Sequence, residues 1–125
     1  MNANKLFREV QHLLLEGRDK ESIEFFTKAA NTGYDNYLVM LSRGGVYLRV
    51  KDADKALSDF NAAIAANGKS ARAYYYRGMA SLSKQQYELS EKDFTKATEL
   101  KSGFAQALFV RASAYAGHGK YEEAA

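Results

Sequence analysis

Two histidines, His12 and His118, are the residues of this 125-residue chain best suited to proton transfer or metal ligation. His12 falls inside a helical pattern and reads as a partly buried packing residue, while His118 falls in a turn with no second ligand beside it. Glu122 and Glu123 read as solvated helix residues. The chain has no cysteine, no glycine-rich phosphate loop and no paired histidines of a zinc helix, so no cofactor or metal is expected and the sequence reads as non-enzymatic.

A different kind of chemistry is suggested by spacing. Arg43 precedes Asp59 by 16 residues and Arg77 precedes Asp93 by 16, whereas the corresponding residues one repeat earlier are Glu9 and Phe25. Arginine and aspartate are present together or absent together. An arginine and a carboxylate can join through two parallel hydrogen bonds, so the pattern predicts a charge-assisted clamp between neighbouring helices. Two independent surface charges, each worth less than about 1 kcal/mol, are the plainer alternative. Arg111 has no aspartate downstream, and a contact to Asp93 would make the clamp span repeats.

The elements that must position these groups follow from a period of 34. Phe26, Phe60 and Phe94 recur at that spacing, each followed three residues later by Ala29, Ala63 and Ala97. Register holds without insertion through segments 3–36, 37–70 and 71–104 and a partial fourth, 105–125. This is the length of a helical hairpin with its turns. Within each segment the fourth, seventh, eighth and eleventh residues share one face of a first helix: Leu6, Glu9, Val10, Leu13; Met40, Arg43, Gly44, Tyr47; Tyr74, Arg77, Gly78, Ser81; Leu108, Arg111, Ala112, Tyr115. A second helix carries Ser22, Phe26, Ala29, or Ala56, Phe60, Ala63, or Ser90, Phe94, Ala97, at i, i+4, i+7. Glycine inside a helix costs about 1 kcal/mol relative to alanine, which a very close helix crossing at Gly44 and Gly78 would offset. Between segments, Asn31-Thr32-Gly33, Asn67-Gly68-Lys69 and Lys101-Ser102-Gly103 suit left-handed helix C-caps.

Segment length, glycine or alanine at the eighth residue, alanine or serine at the twentieth, an aromatic at the twenty-fourth and alanine at the twenty-seventh together resemble the tetratricopeptide repeat. The third segment is the closest match: Ala73 to Ala80, then Tyr87, Asp93-Phe94 and Ala97. The resemblance covers residues 3–125 and implies an all-α, right-handed superhelix (an α-solenoid) of antiparallel helix pairs, about three and a half repeats in one domain. The chain departs from the family pattern in having no proline, with Tyr34, Gly68 and Ser102 where one often stands, in Asp19 and Ala53 at the seventeenth residue, and in Val10 at the eighth.

The resemblance further implies that a partner protein or peptide lies in a concave groove lined by the first helices. The groove residues are then the ladder Phe7, Leu41, Tyr75 and Phe109, with Gln11, Gly45 and Met79, with Arg8 and Tyr76, with Leu38 and Arg72, and with Arg49. Core packing is the favoured role for Phe7 and Leu41; for Tyr75, Tyr76 and Met79 packing and binding stand level. Such a surface favours an apolar or amphipathic segment with aromatic anchors. Family members that dock chaperones hold a terminal carboxylate with lysines, asparagines and an arginine; the matching residues here are Phe7, Gln11, Ser42, Arg72 and Tyr76, or Leu41, Gly45, Tyr76, Gln106 and Val110 one repeat on. Only Arg72 is basic, so that clamp is not expected.

A net charge of +3 without a run of basic residues gives no nucleic-acid footprint. Neither a leader pattern nor a span of roughly 18 apolar residues occurs, which makes a cytoplasmic protein with no membrane partner the default expectation. The fourth segment stops inside its second helix, leaving Leu108, Ala112 and Tyr115 without the helix that would cover them. Either the chain is a fragment of a longer solenoid, or a second copy covers this face in a homodimer, which is the alternative reading of function.

Overall fold

The computed structural model describes residues 17–32 and 35–101. Phe7, Arg8, Gln11, His12, Leu108, Phe109, Arg111, Ala112, Tyr115 and His118 therefore lie outside the described residues, as do the glycines of two of the three expected C-caps, Gly33 and Gly103. The protein is all-α: among the described residues five helices follow in order, α1 (Asp19–Asn31), α2 (Asn36–Arg49), α3 (Ala53–Ala66), α4 (Ala71–Ser83) and α5 (Tyr87–Leu100), and no strand occurs. They fall into two compact units divided after Ala66. In the first, α2 packs on both α1 and α3; in the second, α4 packs on α5. No helix among the described residues is long and apolar enough to cross a membrane.

Both described hairpins close on one phenylalanine, and α1 buries a third. Phe60 and Phe94 are fully buried and Phe26 is 1% exposed, with Ala29, Ala56, Ala63 and Ala97 buried beside them. Burying such a ring contributes about 2–3 kcal/mol. Room for it comes from glycine: a Cβ on Gly44 would stand 2.6 Å from Phe60 Cε1, and one on Gly78 the same distance from Phe94 Cε1. The expected close crossing is thus present in both hairpins. Buried serines avoid unpaired hydroxyls by donating to their own helix, Ser22 to the Arg18 carbonyl at 3.0 Å and Ser90 to the Tyr87 carbonyl at 2.8 Å.

The first helices bury a wider stripe than their spacing announced. Val39, Val46, Ala73 and Ala80 are all buried, in addition to Met40, Gly44, Gly78 and Ser81. For α2 the reason is plain, since it is flanked by a helix on each side.

Of the three expected left-handed caps only the one at Gly68 falls among the described residues, and it is not left-handed. Among the described residues, positive φ occurs at Gly17, Lys51 and Gln85, all in the turn inside a repeat, and not at Gly68. Lys51 and Gln85 end α2 and α4 in a shared pattern: the Lys51 N–H donates to Leu48 O at 3.1 Å and Asp52 N–H to Tyr47 O at 2.8 Å, while Gln85 donates to Leu82 O and Gln86 to Ser81 O, both at 2.9 Å. These paired bonds satisfy the carbonyls left over at a helix end. The Asn67-Gly68-Lys69 turn needs no left-handed residue, because the Asn67 side chain itself accepts from Lys69 N–H at 3.1 Å. Beyond it, Ser70 caps α4 by accepting from Ala73 N–H at 3.1 Å, as Asp35 caps α2 through Leu38 N–H at 3.2 Å.

Candidate functional site

The Arg–Asp spacing resolves into a bidentate clamp inside each hairpin. Arg43 Nε and Nη2 donate to Asp59 Oδ2 and Oδ1 at 2.8 and 2.7 Å, and Arg77 makes the same two bonds to Asp93, both at 2.8 Å. Asp59 and Asp93 are buried, at 4% and 6% exposure. Hydrogen bonding to the carboxylates raises both guanidinium pKa values above the ordinary arginine value, with burial opposing. Each guanidinium also lies against a tyrosine ring, Arg43 at 5.9 Å from the Tyr47 centroid and Arg77 at 5.4 Å from that of Tyr74. Lys55 approaches Tyr47 as well, at 5.6 Å. Planar guanidinium suits both the fork and the stacking.

Thr27 is a partner the sequence reading missed. Its hydroxyl accepts from Arg43 Nη1 at 3.2 Å and donates to the Ile23 carbonyl at 2.8 Å, so Arg43 reaches α1 as well as α3. A signal was present: Thr27, Asn61 and Thr95 recur at the repeat period, each 16 residues before an arginine.

Of the expected groove residues, α4 carries four: Arg72, Tyr75, Tyr76 and Met79. Arg72 is exposed and lies in the first turn, where no acidic residue stands. Tyr75, Tyr76 and Met79 are half-buried. Tyr75 leans on the hairpin core, its ring 5.9 Å from Phe94 and 5.4 Å from Tyr76, and burial pushes its phenol pKa up. The aromatic pair is thereby fixed from beneath while keeping part of its surface open.

On α2 the outcome is mixed. Leu41 is buried, at 7% exposure, and offers a partner little surface. Arg49 is exposed but ion-paired with Asp19 of α1. Leu38, also expected in the groove, is 39% exposed and is one of the exposed large apolar residues. No group of three His, Cys, Asp or Glu among the described residues could hold a metal ion.

Comparison with known proteins agrees with this architecture. A family model described as tetratricopeptide repeat matches residues 41–103 and 82–125. Human RNA polymerase II-associated protein 3 is 32% identical over 99 residues, covering 79% of this chain and 14% of its own length. The Arabidopsis thaliana TPR repeat-containing thioredoxin TDX is 35% identical over 85 residues, covering 68% of this chain and 22% of its own. The chain therefore spans less than a quarter of either relative. Among solved structures, the first TPR of Spaghetti (RPAP3), bound to the HSP90 peptide SRMEEVD, superposes with a TM-score of 0.88 at 26% identity, over 94% of this chain and 93% of that one. With the repeat period, the glycine-seated phenylalanines and the match to the family model in agreement, the chain belongs to the tetratricopeptide repeat family.

Proposed function

We propose that this chain is a non-catalytic protein-interaction scaffold, and that the face of α4 carrying Arg72, Tyr75, Tyr76 and Met79 receives an apolar or amphipathic segment of a partner protein. The observation that carries this reading is the Tyr75–Tyr76 pair, held against Phe94 from below and half open above. Rings anchored in this way offer contact area at small entropic cost, which is the character of binding hot spots. The Spaghetti domain, 26% identical, holds a peptide, which supports the class of ligand. That peptide ends in acidic residues, whereas Arg72 is the single basic residue at the positions that clamp a terminal carboxylate in chaperone-docking relatives. Apolar contact rather than terminal charge is accordingly the basis of recognition here.

The test is selection of 12-residue peptides from a displayed library against the domain, with the enriched peptide synthesised and titrated by fluorescence anisotropy. Aromatic or aliphatic residues should dominate the selected sequences, and Tyr75→Ala/Tyr76→Ala/Met79→Asp should weaken binding at least about tenfold, as expected for loss of anchors. SRMEEVD should bind no more tightly as the free acid than as its C-terminal amide. A free-acid preference of tenfold or more, or selected peptides indifferent to the triple substitution, would overturn the reading.

A further inference from the structure

One asparagine of this chain is followed by glycine. Asn67 precedes Gly68, whereas the others precede Ala3, Lys5, Thr32, Tyr37 and Ala62. Glycine has no β-carbon to hold a neighbouring carbonyl away from its nitrogen, so an Asn-Gly pair is the setting in which main-chain nitrogen most readily attacks the preceding side-chain amide. The backbone at this point does not itself call for glycine, since Gly68 is not left-handed.

The pair lies in the link between α3 and α4, where Asn67, Gly68 and Lys69 are all exposed and outside any helix. Asn67 Oδ1 accepts from the Lys69 N–H at 3.1 Å. The ring closed by that bond contains both Asn67 Cγ and the Gly68 nitrogen, so the side chain is folded back toward the group that would attack it. A donor on the carbonyl oxygen also stabilises the negative charge that develops there during attack.

We propose that Asn67 is a self-modification site, converted without an enzyme to a mixture of aspartate and isoaspartate. The Gly68 nitrogen gives its proton to water and bonds to Asn67 Cγ, the Cγ–Nδ2 bond breaks, and the amide nitrogen leaves as ammonia. The resulting cyclic imide takes up one water. Opening at the former side-chain carbonyl leaves aspartate; opening at the main-chain carbonyl leaves isoaspartate, with one extra carbon in the main chain. Either product lowers the formal net charge of +3 by one.

The two products differ in what they do to α4. Asn67 O accepts from the Ser70 N–H at 3.4 Å, and Ser70 caps α4 through the Ala73 N–H. Aspartate keeps both acceptors at residue 67. Isoaspartate turns that main-chain carbonyl into a free carboxylate and lengthens the chain leading into the cap, so the start of α4 is loosened.

The test is incubation of the folded protein at mildly alkaline pH, followed by tryptic digestion. The peptide 56–69 contains both Asn61-Ala62 and Asn67-Gly68, so Asn61 is an internal control. Residue 67 should gain about 1 Da, the difference between an amide and a carboxyl group, and should become a methyl acceptor for protein isoaspartyl methyltransferase, while Asn61 stays unchanged. The folded protein should convert no more than about tenfold more slowly than the free synthetic peptide 56–69, because the link is already open to water. Gly68→Ala, which folds because no left-handed backbone is needed there, should slow conversion at least about tenfold. The isoaspartyl fraction, separated by ion exchange, should melt a few degrees below the Asn67→Asp protein, as loss of a helix cap predicts. Conversion more strongly suppressed by folding, equal modification at Asn61, or a Gly68→Ala protein that converts as fast as the native one would overturn the proposal. Equal melting of the isoaspartyl and Asn67→Asp proteins would overturn its consequence for α4.

Discussion

Gly44 lies so close to Phe60 that a β-carbon at 44 would sit 2.6 Å from the ring's Cε1, and the ring is fully buried and has nowhere to withdraw. Helix propensity favours Gly44→Ala by about 1 kcal/mol, but overpacking a filled core costs about 1–3 kcal/mol. The steric cost should win by about 1 kcal/mol, lowering the urea midpoint, while Gly45→Ala in the same helix, where a Cβ would meet nothing within 4 Å, raises it. A Gly44→Ala protein more stable than the native one would show that the hairpin can open to admit the methyl group.

The Arg43–Asp59 clamp should fail asymmetrically. Arg43→Met strands a carboxylate that is 4% exposed, and removing one member of a buried pair costs about 3–5 kcal/mol. The Arg43 side chain is more open to water, so Asp59→Asn should cost less, about 1–2 kcal/mol. Chemical denaturation of both single variants and the double variant gives the coupling energy. Equal losses for the two single variants would refute the asymmetry.

Lys51 and Gln85 occupy left-handed backbone, at φ of 67° and 60°, where a side chain is strained by about 1–2 kcal/mol. Replacing either with glycine relieves the strain while enlarging the freedom of the unfolded chain, so a net gain of about 0.5–1 kcal/mol is expected. Gly17→Ala, at φ 72°, should lose about 1 kcal/mol. Thermal unfolding of the three variants reads these effects, and a loss at both Lys51→Gly and Gln85→Gly would contradict the account.

Ser70 accepts from the Ala73 N–H at 3.1 Å and is buried. Ser70→Ala should destabilise by about 1 kcal/mol, whereas Ser70→Asp, which keeps an acceptor and favours the helix N-terminus electrostatically, should recover part of that loss. Circular dichroism melts distinguish the two. If alanine were tolerated without loss, the hydroxyl would contribute nothing as a cap.

Burial raises the Tyr75 phenol pKa above its ordinary value near 10. The folded chain therefore holds that proton more firmly than the unfolded chain does. The associated stability is fully present below about pH 10 and is lost as the pH climbs beyond it. In an alkaline titration followed by phenolate absorbance, Tyr75→Phe should remove a late-ionising component. Retention of that component would reassign it to another of the nine tyrosines.

How much of this was legible in the sequence depends on how selective each requirement is for residue type. The close crossing at Gly44 could be read because glycine inside a helix is costly unless a neighbour needs the room, and the same residue recurs at Gly78. The Arg43–Asp59 pair could be read because its charges appear and disappear jointly. Lys51 and Gln85 could not, since neither side chain advertises left-handed backbone and the hydrogen bonds that hold them are main-chain. Thr27 went unseen because a hydroxyl accepting from a cation leaves no opposite charge to notice. At the candidate site, the openness of Tyr76 and Met79 and the burial of Leu41 depend on packing around the first helices, which periodicity alone does not rank.

Arg43, Gly44, Asp59 and Phe60 all lie within residues 37–70, so both the lock and its key travel on a single 34-residue cassette. Duplication or deletion of such a cassette carries a complete closing mechanism with it and leaves no stranded half behind. Lengthening and shortening an array of this kind by whole units is therefore an inexpensive evolutionary step, and the same property makes the unit a convenient brick for engineered chains.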